Sequence, residues 1–302
     1  MISLIVHGGA WDIADNVLEE HRNGVKQAIK IGWHILRTGG SAVEAVEKVV
    51  RSLEDDGTFD AGRGSHLNAD GEIQLDASMM CGKTFKCGAV AALHRIQNPI
   101  SLARIVMESS EHILLVGKGA EDFAATHGLT LCKPSELVNP RELEQWKAAQ
   151  GRGKTSAKDA FRNSKAASDT VGAVAMDRNG DICVGTSTGG TFYKHPGRVG
   201  DSPLIGCGTY ADNTVGGVST TGWGEAMIKV VMAKSVMDMM ETNGGDAQIA
   251  ADRGIEMLKR KVDGYGGVIV MNTAGRIGMA FNTPRMARGY IHEEMREPFV
   301  AV

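Results

Sequence analysis

The sequence changes from a polar, charged segment to an apolar one at residue 170, and this boundary constrains how the polypeptide can fold. Residues 150–169 read QGRGKTSAKDAFRNSKAASD, with five Lys/Arg, two Asp and Phe161 as the single large apolar side chain. Such a segment cannot bury enough apolar surface to offset the entropy lost on ordering, so we expect a mobile linker. The run TVGAVAMD follows at once, beginning at Thr170, with the apolar pattern of a core strand. A core strand is therefore predicted to begin directly after a segment that is too polar to be part of a core.

A hairpin is predicted immediately after this boundary. Asn179-Gly180 separates the first apolar run from a second one at residues 182–187, and Asn-Gly between two apolar runs is the strongest short hairpin signal. The second strand should run antiparallel to the first, so its end, TSTGG, should lie beside Thr170. The Thr188 hydroxyl would then be within hydrogen-bonding reach of the Thr170 hydroxyl.

Thr170 is a candidate nucleophile. A hydroxyl residue at the first position of a core strand, behind a dispensable linker, suggests a threonine that chain cleavage makes N-terminal. Its own α-amine would then serve as the base. The alternative from these residues alone is an ordinary linker followed by a strand that happens to begin with threonine.

Composition and charge exclude several classes of protein. The 302 residues carry a net charge of −3 with a pI of about 6.3, so no electrostatic footprint for nucleic acid is present. No stretch approaches the roughly 20 apolar residues of a membrane span, and the N-terminus MISLIVHGGAWD does not resemble a secretory signal. The five cysteines are odd in number, irregularly spaced and lack CxxC, which predicts a reducing, cytoplasmic setting without zinc or disulfides.

The hydrophobic pattern predicts alternating groups of strands and helices. Residues 2–7 should form a strand that ends at Gly8-Gly9, and Ser41 should cap a helix. A Gly- and Asp-rich loop is expected over 54–68, and helices are expected over 224–242 and 246–262. Such an order suggests one α+β domain over 1–302, in which two packed, antiparallel-rich sheets lie between helical layers.

Two further segments contain groups that an amide-hydrolysing enzyme needs. In PGRVGDS, Arg198 could bind an α-carboxylate in bidentate fashion while Asp201 pairs with an α-ammonium; an isolated RxxD is also typical of a surface ion pair. In STTGWG, the Thr221 hydroxyl and the Gly222 amide are candidate oxyanion donors at a helix start, although simple N-capping by threonine fits equally well.

A last segment, His7-Gly8-Gly9, could place backbone amides beside a reacting group. A turn that ends a strand is the default interpretation of this motif. No GxSxG, GxGxxG or Walker-A pattern is present, so neither a lipase-like nor a nucleotide-binding site is supported.

Taken together and in this order, the motifs resemble the plant-type asparaginase group of N-terminal-nucleophile hydrolases, in particular its cytoplasmic isoaspartyl peptidase/L-asparaginase members. The resemblance covers nearly the whole chain outside the linker, including the segments GGSAVEAVE, LEDDGTFDAGRGSHLNADGEIQLDASMM, TVGAVAMD, TSTGG, PGRVGDSPLIGCGTYADN and VSTTGWGE. It implies an αββα sandwich that cleaves itself between Asp169 and Thr170 into an α chain, 1–169, and a β chain, 170–302. It also implies a homodimer of such cleaved units.

The resemblance also implies roles for individual residues. Thr170 would be the nucleophile, with Thr188 and Thr221 as hydroxyl partners and Gly222 in the oxyanion hole. Substrate binding would involve Arg198, Asp201, Gly222 and Gly224. The substrates would be asparagine and β-aspartyl dipeptides, with no cofactor for catalysis.

A structural sodium ion is a further implication of the resemblance. Family members hold it with backbone oxygens of one loop, which corresponds here to Leu53, Glu54, Asp56, Phe59, Ala61 and Arg63.

Two positions depart from the family pattern. Asp169 replaces the Gly that commonly precedes the nucleophile, although other branches use Asp there. Asp60 stands where the family usually places Asn, and an ionised carboxylate repels a developing oxyanion instead of donating a hydrogen bond to it. We therefore expect Asp60 to slow processing or turnover unless burial raises its pKa.

Three competing interpretations remain open at this stage. A glycosylasparaginase shares nearly all of these residues but should carry a secretory signal and disulfides. A taspase-like endopeptidase shares the Asp-Thr junction but recognises a continuous polypeptide, in which Asp201 would find no free amine. A homologue that never cleaves itself, serving in binding or assembly, would belong to another class altogether.

Overall fold

The computed structural model describes residues 1–150 and 170–302, which form two stacked β-sheets between layers of helices. The predicted linker, 150–169, lies outside the described residues except for Gln150, and so does Asp169 at its end. The strands are β1 Ser3–Trp11, β2 Leu75–Cys81, β3 Cys87–Leu93, β4 Leu114–Val116, β5 Thr170–Met176, β6 Ile182–Thr188, β7 Thr209–Asp212, β8 Gly216–Gly222, β9 Gly266–Asn272, β10 Ile277–Phe281, β11 Arg285–His292 and β12 Phe299–Ala301. The larger sheet has the strand order β12-β11-β1-β5-β6-β2-β3-β4, and the smaller has the order β10-β9-β8-β7.

Helices cover the outer face of each sheet. The α-helices of the described residues are α1 Leu18–Arg37, α2 Ala42–Asp56, α3 Pro99–Ser109, α4 Gly117–Thr126, α5 Pro134–Leu137, α6 Pro140–Ala149, α7 Gly224–Val230, α8 Met232–Thr242 and α9 Ala247–Val262. The first three pack on the larger sheet, and α8 and α9 pack on the smaller one. A third apolar cluster lies between the two sheets and includes Ile5, Val174 and Ile269. The four-layer αββα arrangement expected from the sequence is therefore confirmed.

The predicted hairpin lies at the centre of the larger sheet. β5 pairs antiparallel with β6, and Thr170 lies opposite Thr188. On its other side β5 pairs antiparallel with β1. The nucleophile candidate therefore begins a strand that is hydrogen-bonded on both flanks.

Two sequence expectations about strands and loops were wrong. β1 does not end at Gly8-Gly9 but continues to Trp11, because a bulge between His7 and Ala10 absorbs the glycines, with Gly9 at φ 100°. Helix α2 runs on to Asp56 before the loop begins, and a single 3₁₀ turn, Gly62–Gly64, interrupts the loop. The Ser41 cap is confirmed, since its hydroxyl accepts a hydrogen bond from the Glu44 amide at 3.2 Å.

The helix expected over 224–242 is broken in two. Val231 adopts a left-handed conformation, with φ 47° and ψ 56°, and separates α7 from α8. A β-branched residue in this conformation is strained, and local periodicity does not reveal such a kink. In the described part of the chain, no helix is both long and apolar enough to cross a membrane.

Candidate active site

Thr170 and Thr188 meet at the end of the β5–β6 hairpin. Both are nearly inaccessible to solvent, at 3% and 2% exposure. The Thr170 hydroxyl donates to the Thr188 hydroxyl at 3.3 Å, and the latter accepts from the Gly190 amide at 2.9 Å. The antiparallel pairing thus brings the two hydroxyls together as the sequence indicated.

Thr221 lies on the facing sheet at the same level. Along β8, a Cβ at Gly217 would contact Val174 of β5, and the Ser219 hydroxyl bonds His7, which is paired with Gly172. Because side chains alternate along a strand, the next inward position on β8 is Thr221, and it falls at the level of residue 170. The two threonines therefore face the same gap between the sheets.

The Thr221 hydroxyl has no hydrogen-bond partner among the described residues, although it is fully buried. A buried hydroxyl without a partner is costly, so this one is available to a ligand. The neighbouring Gly222 has φ 132°, and a Cβ there would come within 2.4 Å of the Gly266 Cα. Only glycine fits this position.

Arg198 and Asp201 flank Gly224 at the start of α7. A Cβ at Gly224 would lie 2.9 Å from both Arg198 Nη2 and Asp201 Oδ1. The structure therefore brings together the guanidinium, the carboxylate and the glycine that the resemblance assigns to substrate binding.

Arg198 already has a carboxylate partner. Its Nε and Nη2 donate to the two oxygens of Glu225, both at 2.8 Å. Burial favours a raised pKa for Glu225, but the hydrogen bonds and charge of Arg198 hold it below its usual value. Sequence reasoning missed Glu225, although the residue lies in the segment VSTTGWGE. Its position directly after Gly224, a candidate binding residue, was the signal that could have identified it.

Asp201 is buried, and its carboxylate accepts a hydrogen bond from a neighbouring hydroxyl. Thr220 donates to Asp201 Oδ2 at 2.7 Å. Burial raises the pKa of Asp201, while the Thr220 hydroxyl and the Arg198 charge partly counteract that rise. A buried carboxylate of this kind gains most from a cationic ligand, which restores its ionised form.

Asp60 lies against the Thr188-Gly189 turn. Its backbone carbonyl accepts from the Gly189 amide at 2.9 Å, its Oδ1 accepts from the His66 amide at 2.8 Å, and a Cβ at Gly189 would lie 2.3 Å from that oxygen. The residue is 2% exposed. Its carboxylate therefore belongs to the wall of the candidate site.

A buried cation that the sequence analysis missed lies nearby. Lys194 Nζ donates to the Gln74 carbonyl at 2.8 Å and lies 4.0 Å from Asp76, whose position on β2 is opposite Thr188. Burial lowers the pKa of Lys194, and the charge of Asp76 opposes this shift. No local motif marks this pair, because its members are more than a hundred residues apart in the chain.

In the loop assigned to a sodium ion, two of the predicted backbone oxygens lie close to glycines. A Cβ at Gly62 would lie 2.4 Å from the Glu54 carbonyl, and one at Gly64 would lie 2.0 Å from the Phe59 carbonyl. Hard cations prefer oxygen ligands, so these carbonyls have the chemistry that such an ion needs. The Phe59 and Ala61 carbonyls already accept hydrogen bonds from the Ala61 and Gly64 amides. The sodium site stays a prediction.

Comparisons with known proteins agree with this geometry. The family model Asparaginase_2, described as asparaginase, matches residues 1–300. A probable isoaspartyl peptidase/L-asparaginase of Drosophila melanogaster is 41% identical, covering 96% of this chain and 92% of the relative. An isoaspartyl peptidase/L-asparaginase of Xenopus laevis is 42% identical, covering 96% and 92%. A plant-type L-asparaginase of Pyrococcus horikoshii is 42% identical over the full length of both chains.

Two sheets sandwiched between helices, with a threonine opening a central strand, define the fold of an N-terminal-nucleophile hydrolase. Within that class, the chain belongs to the asparaginase family.

Proposed function

We propose that this protein is a threonine amidohydrolase that converts L-asparagine to aspartate and ammonia and removes N-terminal β-aspartyl residues from dipeptides. The observation that carries the proposal is the convergence of Thr170, Thr188 and Thr221 on one gap. Family membership and the isoaspartyl peptidase/L-asparaginase relatives support it.

The nucleophile acts after the chain is cut before residue 170. In the precursor, the Thr170 hydroxyl attacks the Asp169 carbonyl, and the peptide bond becomes an ester that water opens. This step frees the α-amine of Thr170, whose ordinary pKa is about 7.7–8, so that a useful fraction is unprotonated near neutral pH. The precursor has an amide at this nitrogen and therefore no base.

In the mature protein, the Thr170 hydroxyl gives its proton to the α-amine and attacks the side-chain carbonyl of the substrate. The Thr221 hydroxyl, which is buried and has no partner within residues 1–150 and 170–302, donates to the oxyanion together with the Gly222 amide. The amine of the leaving group takes the proton and departs as ammonia or as an amino acid. Water then hydrolyses the acyl ester and restores the Thr170 hydroxyl.

Substrate recognition uses opposite charges on either side of Gly224. The substrate α-carboxylate binds Arg198 and its α-ammonium pairs with Asp201. Since Glu225 holds the Arg198 guanidinium in bidentate fashion, the substrate carboxylate must displace Glu225 or share Arg198 with it. Asparagine and β-aspartyl dipeptides present the same α-carboxylate and α-ammonium to these two residues.

Mass spectrometry of the purified protein, together with two activity assays, tests the proposal. We expect fragments of 169 and 133 residues, ammonia release from asparagine and hydrolysis of β-aspartyl-leucine. A Thr170→Ala variant should give one intact chain and neither activity. A single intact wild-type chain after long incubation would favour the non-cleaving homologue, and fragment formation by Thr170→Ala would refute the role of this hydroxyl.

We also propose that two cleaved units associate into a homodimer in the cytoplasm. The edge strand β4 and the residue before it support an interface, because Ile113, Leu114 and Val116 are 53%, 40% and 56% exposed. All five cysteines are free, which suits a reducing compartment. Light scattering coupled to size-exclusion chromatography should give twice the chain mass, and a monomer would contradict the dimer.

A further inference from the structure

Two of the five free cysteines lie opposite each other on adjacent strands of the larger sheet. Cys81 is the last residue of β2, Cys183 is the second residue of β6, and the antiparallel register sets one against the other. Cys183 is a member of the apolar cluster that joins this sheet to α1, α2 and α3, and Cys81 packs against the same cluster. The two thiols therefore lie side by side on one face of the sheet.

The backbone hydrogen bonds identify the pair as a non-hydrogen-bonded one. The Cys81 amide donates to the Lys86 carbonyl at 2.9 Å, away from β6. The next pair along the ladder is hydrogen-bonded, since the Gly82 amide donates to the Ile182 carbonyl at 2.8 Å. The two kinds of pair alternate along an antiparallel ladder, so Cys81 and Cys183 occupy the closer kind, with Cα atoms about 4.5 Å apart.

This spacing suits a disulfide. Disulfides join residues whose Cα atoms are about 4.4–6.8 Å apart and whose Cβ atoms are about 3.5–4.5 Å apart. Directly opposite side chains of a non-hydrogen-bonded pair have Cβ atoms close to the upper end of the second range, so rotation of the two side chains brings the sulfurs together. Cys87 is placed differently, because it lies opposite Met80 and packs against the cluster between the two sheets.

The two thiols differ in their access to solvent. Cys81 is partly exposed, whereas Cys183 is fully buried. Burial raises the pKa of the Cys183 thiol well above its ordinary value, so Cys183 does not react first with a solute. Its place opposite Cys81 compensates for this, because a well-oriented neighbouring group reacts as if it were highly concentrated. An accessible thiol beside a resolving one is typical of redox-sensitive pairs.

We propose that Cys81 and Cys183 form a reversible disulfide when hydrogen peroxide oxidises the protein. The Cys81 sulfur attacks one peroxide oxygen, the O–O bond breaks, and the hydroxide that leaves takes the Cys81 proton to become water. The Cys183 sulfur then attacks the sulfenic sulfur of Cys81, the S–O bond breaks, and the departing hydroxide takes the Cys183 proton. Two thiols and one peroxide thus give one disulfide and two waters, and a small thiol such as glutathione reverses the reaction by exchange.

The disulfide would connect the segments on either side of residue 170. Strand β2 precedes this residue and β6 follows it. In a chain cleaved before Thr170, the bond would therefore link the fragments 1–169 and 170–302 covalently. Its formation does not depend on the proposed function, because cleavage only decides whether the bond lies within one chain or between two.

Disulfide mapping of the full-length protein tests the proposal. The protein is treated with hydrogen peroxide, freed of excess oxidant, alkylated at its remaining thiols and digested without reductant for mass spectrometry. We expect one pair of linked peptides, which contain Cys81 and Cys183 and which dithiothreitol separates. Cleaved protein should migrate as one species without reductant and as two fragments with it. Alkylation of all five cysteines, or a bond from Cys81 to another cysteine, would overturn the proposal.

Two variants assign the steps of the reaction. Cys183→Ala removes the resolving thiol, so Cys81 should accumulate as a sulfenic acid that dimedone traps, and no linked peptides should form. Cys87→Ser is the matched control, since it removes a partly buried thiol from the neighbouring strand, and it should leave the linked peptides unchanged. Absence of a dimedone adduct at Cys81, or loss of the linkage in Cys87→Ser, would contradict the proposal. Should Cys183→Ala not fold, the wild-type map alone decides.

The same map separates this inference from the proposed function. A wild-type protein that neither cleaves itself nor releases ammonia would refute the proposed function, whereas linked peptides in its intact chain would still support the disulfide. A cleaved and active protein without linked peptides would overturn the inference alone.

Discussion

Replacing Thr221 by valine should stabilise the protein while it disables catalysis. The Thr221 hydroxyl is fully buried and has no partner among the described residues. A buried hydroxyl left unsatisfied costs about 1–3 kcal/mol, and valine removes it with almost no change of shape. We therefore expect the free energy of unfolding to rise by an amount of this order, and Tm to rise by roughly 2 °C for each kcal/mol.

The same substitution removes a donor to the oxyanion. Loss of one such donor typically lowers kcat by about 10²–10³, which corresponds to about 2.7–4 kcal/mol of transition-state stabilisation. Stability and activity should therefore change in opposite directions. Thermal unfolding and initial rates of ammonia release from asparagine, measured on the same preparation, give both quantities.

The adjacent Thr220 provides the matched control. Its hydroxyl donates to Asp201 at 2.7 Å, so Thr220→Val leaves a buried carboxylate with one partner fewer. We expect Thr220→Val to lower Tm and to raise KM, the reverse of the stability effect at Thr221. A Thr221→Val variant that loses stability, or that keeps kcat within about tenfold of wild type, would refute this reasoning.

Three further substitutions test the charged groups around the site. Asp60→Asn replaces a carboxylate by a donor, so fragment formation and kcat should both increase; a time course by mass spectrometry follows the first, and unchanged rates would show that Asp60 costs nothing. Glu225→Gln weakens the bidentate partner of Arg198, so KM for asparagine should fall severalfold in steady-state kinetics, and a higher KM would mean that Glu225 aids binding. Burial raises the pKa of Glu54 from 4.5 to about 8, so the folded state binds more protons than the unfolded state between these values. Stability should therefore fall as pH rises from 4.5 to 8, by at most about 1.4 kcal/mol per pH unit. Glu54→Gln should remove this slope in urea denaturation, and an identical slope in the variant would contradict the assignment.

Local patterns were sufficient to predict the central hairpin and its consequence. Asn179-Gly180 fixed the turn, the turn fixed the register, and the register placed Thr188 opposite Thr170. The sandwich also followed from the order of strands and helices. These features depend on residues that are close in sequence.

The features that sequence reasoning missed depend on contacts between distant segments. Glu225 was overlooked as the partner of Arg198 because nothing local links them. The break at Val231 lies at a residue that itself disfavours the left-handed conformation, so the local sequence does not predict it. His7 was considered for the backbone amides of its motif, whereas its side chain contacts Ser219, 212 residues further along the chain.

The roles of the site residues are predictions from the family resemblance and from chemistry. The structure brings Arg198, Asp201 and Gly224 together, and the opposite charges of the first two match the α-carboxylate and the α-ammonium of an amino acid.

The order of strands in the larger sheet has a consequence for a chain that has been cut. Strands β1 and β2 precede residue 170, whereas β5, β6 and β11 follow it. In the sheet, β1 lies between β11 and β5, and β6 lies against β2. Three of the seven strand pairings therefore join the two segments, and cleaved halves would separate only if all three were broken. An intact precursor would refold from denaturant as one molecule, whereas the two halves of a cleaved chain would first have to associate. Maturation would thus make assembly effectively irreversible: renaturation yield should depend on concentration after scission and not before it.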